Sequence, residues 1–247
     1  MFDLRQSGEW LPADVSIRWT ESGRMIHPQV ERAIDAAWRE ASARLGAKLF
    51  DGPMCRLEGI IASPRRLELT LSRTSYKPFL GTNLHNAHLA DEFGQQVLAN
   101  PVGLSTALQS ADGWLLLGRR SDSVAYYPGR VHPFAGTLEP HDPLDLFAEV
   151  RRELREELSL DDADIADMKC IGLAEDRHLR QPELIFHVRT VRTREQIQST
   201  LDLAEHDSIY AVASRPDQIA AAMADPALTP IAGASLALFA LAKSAKK

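Results

Sequence analysis

The sequence predicts a mixed α/β layer fold of one large domain with an N-terminal α/β extension. Three observations carry this expectation. From about residue 101 onward, strand-like, loop-like and helix-like segments alternate. The 247 residues are 45% hydrophobic and 25% charged, enough to bury a substantial core unaided. The two cysteines, Cys55 and Cys170, are far apart and outside any CxxC, so neither a disulfide framework nor a zinc knuckle is expected.

In chain order, residues 28–45 read as a helix. Pro28 suits its first turn, Val30, Ile34, Ala37, Trp38, Ala41 and Leu45 fall on one face, and Gly46 stops it. Two short strands follow at 55–61 and 66–72, separated by Ala62-Ser63-Pro64-Arg65. Residues 74–83, with Pro78 and Gly81, read as a loop, and an irregular or helical stretch runs to about Asn100. Beyond Pro101, strands are expected at 103–109 and 113–119 around a turn, then a polar loop and a helix at 144–158. Strands at 169–173, 184–190 and 208–212 and helices at 215–224 and 232–243 complete the chain. The division expected is an extension over 1–95 and a main domain over 96–247.

A net charge of −6 argues against a nucleic-acid partner held by a basic face. No apolar run approaches the roughly 20 residues that span a bilayer, Ile231–Ala242 being too short, so no membrane partner is expected. The first residues lack the apolar stretch of a signal peptide, and the expected compartment is the reducing cytoplasm. There is no internal repeat and no low-complexity tract.

The most informative segment is 135–160, AGTLEPHDPLDLFAEVRRELREELSL. On a helix, Phe147, Val150, Leu154 and Leu158 share one face. Glu153 and Glu157 lie one turn apart beside that face, whereas Glu149 and Glu156 turn toward solvent. Carboxylates at the edge of a buried stripe are costly and repel one another. A glutamate-rich helix taken alone reads equally well as a solvated face. The preceding Ala135-Gly136 tips the reading toward a metal site, because glycine lets the chain approach closely and a backbone carbonyl there can join the carboxylates on a hard cation such as Mg²⁺.

This segment resembles the Nudix box, G-x5-E-x7-R-E-U-x-E-E-x-G-U with U aliphatic. Arg152-Glu153-Leu154-Arg155-Glu156-Glu157-Leu158-Ser159-Leu160 matches its second half, with Ser159 for the usual Gly. The first half departs: Arg152 falls sixteen residues after Gly136 where the family has fourteen, and Glu139, Asp142 and Asp145 compete for the acidic place. The resemblance implies the Nudix fold, a mixed sheet sandwiched between helices, and a Mg²⁺-dependent pyrophosphatase, with Mn²⁺ as an alternative ion. By residue matching, Glu153 and Glu157 would bind metal, Glu156 would be a further ligand, the carbonyl of Ala135 a backbone ligand, and Arg152 would orient the glutamates. Some family members carry an extra acidic ligand late in the chain. Glu205, in the polar loop before the 208–212 strand, is the favoured counterpart and candidate general base, with Glu183 second.

A narrower resemblance covers most of the chain. TSYKPFLGTN (residues 74–83), LANPVGLSTAL and EHDSIYAV are similar to segments of the mammalian Nudix enzymes that split UDP-glucose and UDP-galactose. It implies a small-molecule nucleotide-sugar substrate and an extension that contributes to its recognition. Tyr76, Phe79, Gly81, Thr82 and Asn83 are then expected to bind substrate, with Asn83 as an amide partner for uracil and Tyr76 or Phe79 as a stacking face. The bland alternative is that these rings anchor the extension on the core. Of Arg119 and Arg120, one is expected in solvent and Arg120 is taken for phosphate. His85 and His88 are expected at the surface, and Trp10, Trp19, Trp38 and Trp114 in packing roles. Two other readings compete: a Nudix hydrolase of ADP-ribose, NADH or coenzyme A, and a Nudix-like domain that binds a nucleotide without cleaving it.

Overall fold

The computed structural model describes residues 1–244. In chain order its elements are β1 (Phe2–Trp10), β2 (Val15–Trp19), α1 (Pro28–Leu45), β3 (Pro53–Ser63), β4 (Arg66–Ser75) and α2 (Tyr76–Phe79), which continues as a π-turn over Leu80–Leu84. Then come α3 (Leu89–Phe93), β5 (Gly103–Gln109), β6 (Trp114–Arg120), β7 (Val131–His132), β8 (Ala135–Thr137) and α4 (Leu146–Leu158). Last are β9 (Ile165–Asp176), β10 (Gln181–Thr190), α5 (Arg194–Gln198), β11 (His206–Ala213), α6 (Pro216–Met223) and α7 (Pro230–Ser244).

Eight strands form one mixed sheet in the order β1-β9-β10-β5-β6-β11, with β8 on β5 and β7 on β6. Its pairs are antiparallel except β10 and β5, which run parallel from Glu183 opposite Gly103 to Arg189 opposite Gln109. β5 and β6 pair only beside their connecting turn, at Leu108–Leu116 and Gln109–Leu115. They then part. β8 takes over the freed edge of β5, and β7 that of β6. The sheet therefore opens in its middle.

Side chains alternate across each strand, so both faces carry apolar residues and both must be covered. Leu104, Leu108, Leu116, Leu184, Phe186 and Val188 pack on one face under Phe147, Val150, Leu154 and Leu158 of α4. A three-stranded sheet, β2-β4-β3, shares that face through Leu67, Leu69 and Leu71. Leu115, Leu117, Ile171, Ile185 and Val212 face the other way, against Ile219 of α6 and Ile231, Leu238 and Phe239 of α7. The mixed sheet flanked by helices is as expected, with the small sheet as an addition to one layer. No helix among the described residues is long and apolar enough to cross a membrane.

α1 forms as read, burying Val30, Ile34 and Ala41 and ending at Gly46 with φ +55°. The differences lie at the N-terminus and in the loop. β1 and β2 were not anticipated, because their half-exposed residues show no clean alternation. Their order comes from partners: β1 lies antiparallel on β9, and β2 lies parallel on β4. Residues 76–84 are helical rather than loop. Both cysteines are buried and free.

α4 begins two residues later than expected because Asp145 caps it, accepting from the backbone N–H groups of Phe147 (2.8 Å) and Ala148 (3.2 Å). It ends at Ser159, whose φ of +55° is the left-handed conformation that glycine adopts freely. Two substitutions should therefore move stability in opposite directions. Asp145→Ala should cost about 1 kcal/mol, the worth of an N-cap. Ser159→Gly should gain about 0.5–1 kcal/mol by relieving the left-handed backbone. Urea unfolding of both variants checks this; equal midpoints would show that the ends of α4 are held by its packing alone.

Candidate active site

The opening between β5 and β6 is a cleft of about 330 Å³. One wall is Arg152, Glu153 and Glu156 of α4 against Gly136 and Thr137 of β8. The other is built by Arg120, Tyr126 and His132, with Gln181 and Glu183 of β10 and Glu205 at the remaining sides. The parting of the strands removes backbone from the space that these side chains enter.

Glu153 shows why Gly136 is needed. A Cβ on residue 136 would stand 2.2 Å from the Glu153 carboxyl group, so any side chain there would displace it. Burial pushes the Glu153 carboxyl up to about 7, the neighbouring Glu157 and Glu156 add to the shift, and Arg152 opposes it. Arg152 is the counterion of the cluster. It donates to Glu149 (3.0 Å), Glu156 (2.8 Å) and Glu153 (2.5 Å).

Glu157 lies deeper, only 7% exposed, with Oε1 3.1 Å from Nε2 of buried His206. Burial, and then the charge of Arg120, lower the His206 pKa to about 4. Neutral His206 thus carries its proton on Nε2 and donates it to Glu157, because Nδ1 is packed against Gly118 with no hydrogen-bond partner among the described residues. One ligand atom each from Glu157, Glu205 and His206 lies within 4.8 Å of the others, and His206, whose Nε2–H is spent on Glu157, orients that carboxylate rather than offering a lone pair to an ion. Glu183 is buried against Gly103 and accepts from the Ser105 hydroxyl. Burial again pushes its carboxyl up to about 7. The donor atoms that the cleft offers are carboxylate oxygens, crowded beyond what Arg152 neutralises. A hard divalent cation fits such a set.

The structure thus gathers Arg152, Glu153, Glu156, Glu205, Glu183 and Arg120 around one cleft, with Glu157 behind them. Ala135 opens β8 opposite Ser105, one residue before Gly136. Arg120 donates to the Tyr126 carbonyl (3.1 Å) with its guanidinium 4.6 Å over the Tyr126 ring, while Arg119 donates to the carbonyl of Gly129. Of the three candidate acids, Glu139 lines the cleft, Asp142 is exposed and Asp145 caps α4. His206 and Gln181 were missed. His206 stands in the EHDS motif that carried the resemblance, but nothing local marks its ring as a partner for a glutamate 49 positions earlier.

The structure places the 76–83 residues apart from this cleft. Among the described residues, Tyr76, Phe79, Gly81, Thr82 and Asn83 do not line the cleft. Gly81 lies so close to α1 that a Cβ would fall 2.4 Å from the Cα of Ile34. The Thr82 hydroxyl donates to the Pro78 carbonyl (2.6 Å) and accepts from Ala99 N–H (3.1 Å). Asn83 is fully buried. Its amide nitrogen donates to the carbonyls of Leu179 (2.9 Å) and Arg180 (3.2 Å), and its oxygen accepts from Asn100 N–H (3.0 Å). These two stretches lead into β10 and β5, so Asn83 clamps the entrance of the parallel pair that carries Glu183. Tyr76 and Phe79, with ring centroids 6.1 Å apart, anchor the same turn.

No family model matches the chain. It is 31% identical over 201 residues to the human uridine diphosphate glucose pyrophosphatase NUDT22, spanning 69% of this chain and 66% of that protein. The bovine protein of the same name is 32% identical over 203 residues, spanning 69% of each chain. The chain thus matches about two thirds of the length of these curated relatives. Among solved structures, a mutT/nudix family protein from Listeria innocua overlays with a TM-score of 0.43 at 18% identity, covering 60% of this chain and 96% of that one.

Two outcomes are expected. Asn83→Ala leaves buried backbone groups unpaired and should cost about 2–3 kcal/mol in denaturant unfolding; an unchanged midpoint would free Asn83 for another role. The second concerns ions. Glu153 and Glu183 titrate near 7 in the folded chain, against about 4.3 unfolded. Their ionisation therefore destabilises the free protein progressively as pH rises from about 4.5 to about 7. A cation that takes the ionised carboxylates removes that penalty. Mg²⁺ or Mn²⁺ should raise Tm more at pH 8 than at pH 5.5 by calorimetry, and equal shifts would place the ion elsewhere.

Proposed function

Because this chain belongs to the Nudix hydrolase family, with uridine diphosphate glucose pyrophosphatases as its relatives, we propose that it hydrolyses the pyrophosphate bond of UDP-sugars. UDP-glucose or UDP-galactose would give UMP and the sugar 1-phosphate. The observation that carries this reading is the crowding of Glu153, Glu156, Glu157 and Glu205 about one cleft, with the Glu153 carboxyl pushed up to about 7 on the floor that Gly136 leaves open.

Glu153, Glu156, Glu157 and Glu205, with the Ala135 carbonyl, would hold Mg²⁺ or Mn²⁺. The bound ion supplies charge neutralisation for the two phosphates and acidifies water. The remaining work falls to the chain. Arg152 sets the directions of the α4 carboxylates, and His206 sets that of Glu157. Arg120, braced on Tyr126, presents a fixed guanidinium to phosphate oxygens. In the reaction, a water oxygen adds to one phosphorus while the bond from that phosphorus to the bridging oxygen breaks. The bridging oxygen leaves with the other phosphate, and a carboxylate takes the proton of the water. Glu183 and Glu205 both line the cleft for that last task. Burial brings the Glu183 carboxyl to about 7, an acidity that suits a general base at neutral pH.

A Mg²⁺-containing assay of UDP-glucose, UDP-galactose, ADP-ribose, GDP-mannose and NADH, scored for nucleoside monophosphate, tests the proposal. The UDP-sugars should be cleaved fastest. Glu157→Gln, folded by circular dichroism, should lose about 10²-fold or more in kcat. Faster cleavage of ADP-ribose or NADH would make the protein an adenine-dinucleotide hydrolase. A Glu157→Gln variant that turns over within a few-fold of wild type would move the metal site.

A further inference from the structure

Asn83 is saturated by backbone, yet the cleft does hold an open amide. Gln181 begins β10 and is 1% exposed, and its side-chain oxygen has no hydrogen-bond partner among the described residues. It lines the same cavity as Arg120, Tyr126 and His132. A buried amide acceptor left unpaired costs about 1–3 kcal/mol. Such a group persists where something else completes it.

The surroundings describe what would complete it. Gln181 and Glu183 stand two positions apart on one strand, so both side chains leave the same face, about 7 Å from each other along the strand. Gln181 lies on the side of Glu183 away from the rest of β10, next to the loop 121–130. That loop is held down by the Tyr127 hydroxyl, which donates to Asp176 (2.7 Å), the residue paired with Gln181 across β9 and β10. Tyr127 has a φ of +52°, a left-handed backbone that a bulky residue adopts only where its surroundings impose it. The strain keeps Tyr126 beside the cleft, its ring edge-on to His132 at 6.3 Å. Gln181 brings an amide to this cleft, and an amide pairs best with a partner that carries a donor beside an acceptor.

We propose that Gln181 reads the imide edge of a uracil base, accepting from its ring N–H and donating to the adjacent carbonyl, with Tyr126 as a wall of the pocket. Gln181 is thus the residue that selects the nucleoside. This rests on the nucleotide-sugar reading above and deepens it. A site that bonds a base edge rejects the wrong base strongly, because buried groups are then left unmatched.

The test uses the full chain in two variants. Gln181→Glu replaces the donor by a second acceptor, which repels a uracil carbonyl but suits the amino group of cytosine. Gln181→Met keeps the shape and removes both bonds. kcat/KM for UDP-glucose and CDP-glucose is measured on each, together with calorimetric binding of UMP and CMP in chelator. Wild type should prefer uracil at least tenfold. Gln181→Glu should shift the UDP-to-CDP ratio toward cytosine by tenfold or more, chiefly through KM. Gln181→Met should weaken UMP binding tenfold or more while keeping the Mg²⁺-dependent rise in Tm. A wild type without base preference, or a ratio and a UMP affinity unchanged within threefold in both variants, overturns the assignment. If UDP-glucose is cleaved and the ratio does not move, the pocket fails and the activity stands. If no UDP-sugar is cleaved but UMP binding still depends on Gln181, the pocket stands and the activity fails.

Discussion

Everything at the cleft depends on the parting of β5 and β6 after two residue pairs. Had the ladder continued, backbone would fill the space that now admits Glu153, Glu183 and Arg120. The edges it frees would be costly if left bare, since unpaired backbone groups inside a protein must find partners. β8 and β7 are short because they do only this, covering the two freed edges. The helix that carries the glutamates lays its apolar stripe on the sheet and brings its acidic edge against β8. Gly136 is the point of contact, and its missing side chain is filled by a carboxylate.

The same opening creates an electrostatic debt. Carboxylates brought together in a half-closed space favour the protonated state, and a single guanidinium spread over Glu149, Glu153 and Glu156 offsets only part of this. A protein selected for stability alone would replace such a cluster by apolar residues at little cost or some gain. Its retention, together with neutral His206 braced on Glu157 and a strained Tyr127, marks a site maintained for chemistry.

Much of the scaffold could be read from the chain. The 3.6-residue spacing of Phe147, Val150, Leu154 and Leu158 placed α4, and the same spacing beside it placed Glu153 and Glu157 at the edge of its buried face. Those signals are local, and local patterns survive into the fold. The failures involve partners distant in sequence. β1 has no alternation of its own and exists because β9 pairs with it. The 76–83 segment was rich in hydrogen-bonding side chains, and composition does not say whether the partner is a ligand or the backbone of Leu179, Asn100 and Pro78. Gln181 sat unnoticed at the start of an apolar strand. What distinguishes it from Asn83 is the absence of a partner, and that is visible only in three dimensions.

The pairing of β1 with β9 joins Phe2 to Asp176 and Trp10 to Cys170. On a ribosome, the first strand is made long before its partner. At synthesis rates of about 5–20 residues per second, it waits roughly 10–30 s for β9 to emerge. Throughout that interval its backbone is an open edge, available to any other extended chain. The half-polar surface that hid β1 from a reading of hydrophobic periodicity is what suits it to that wait. A strand of alternating valines would be easier to recognise and far more prone to pair with the wrong neighbour before its own partner existed.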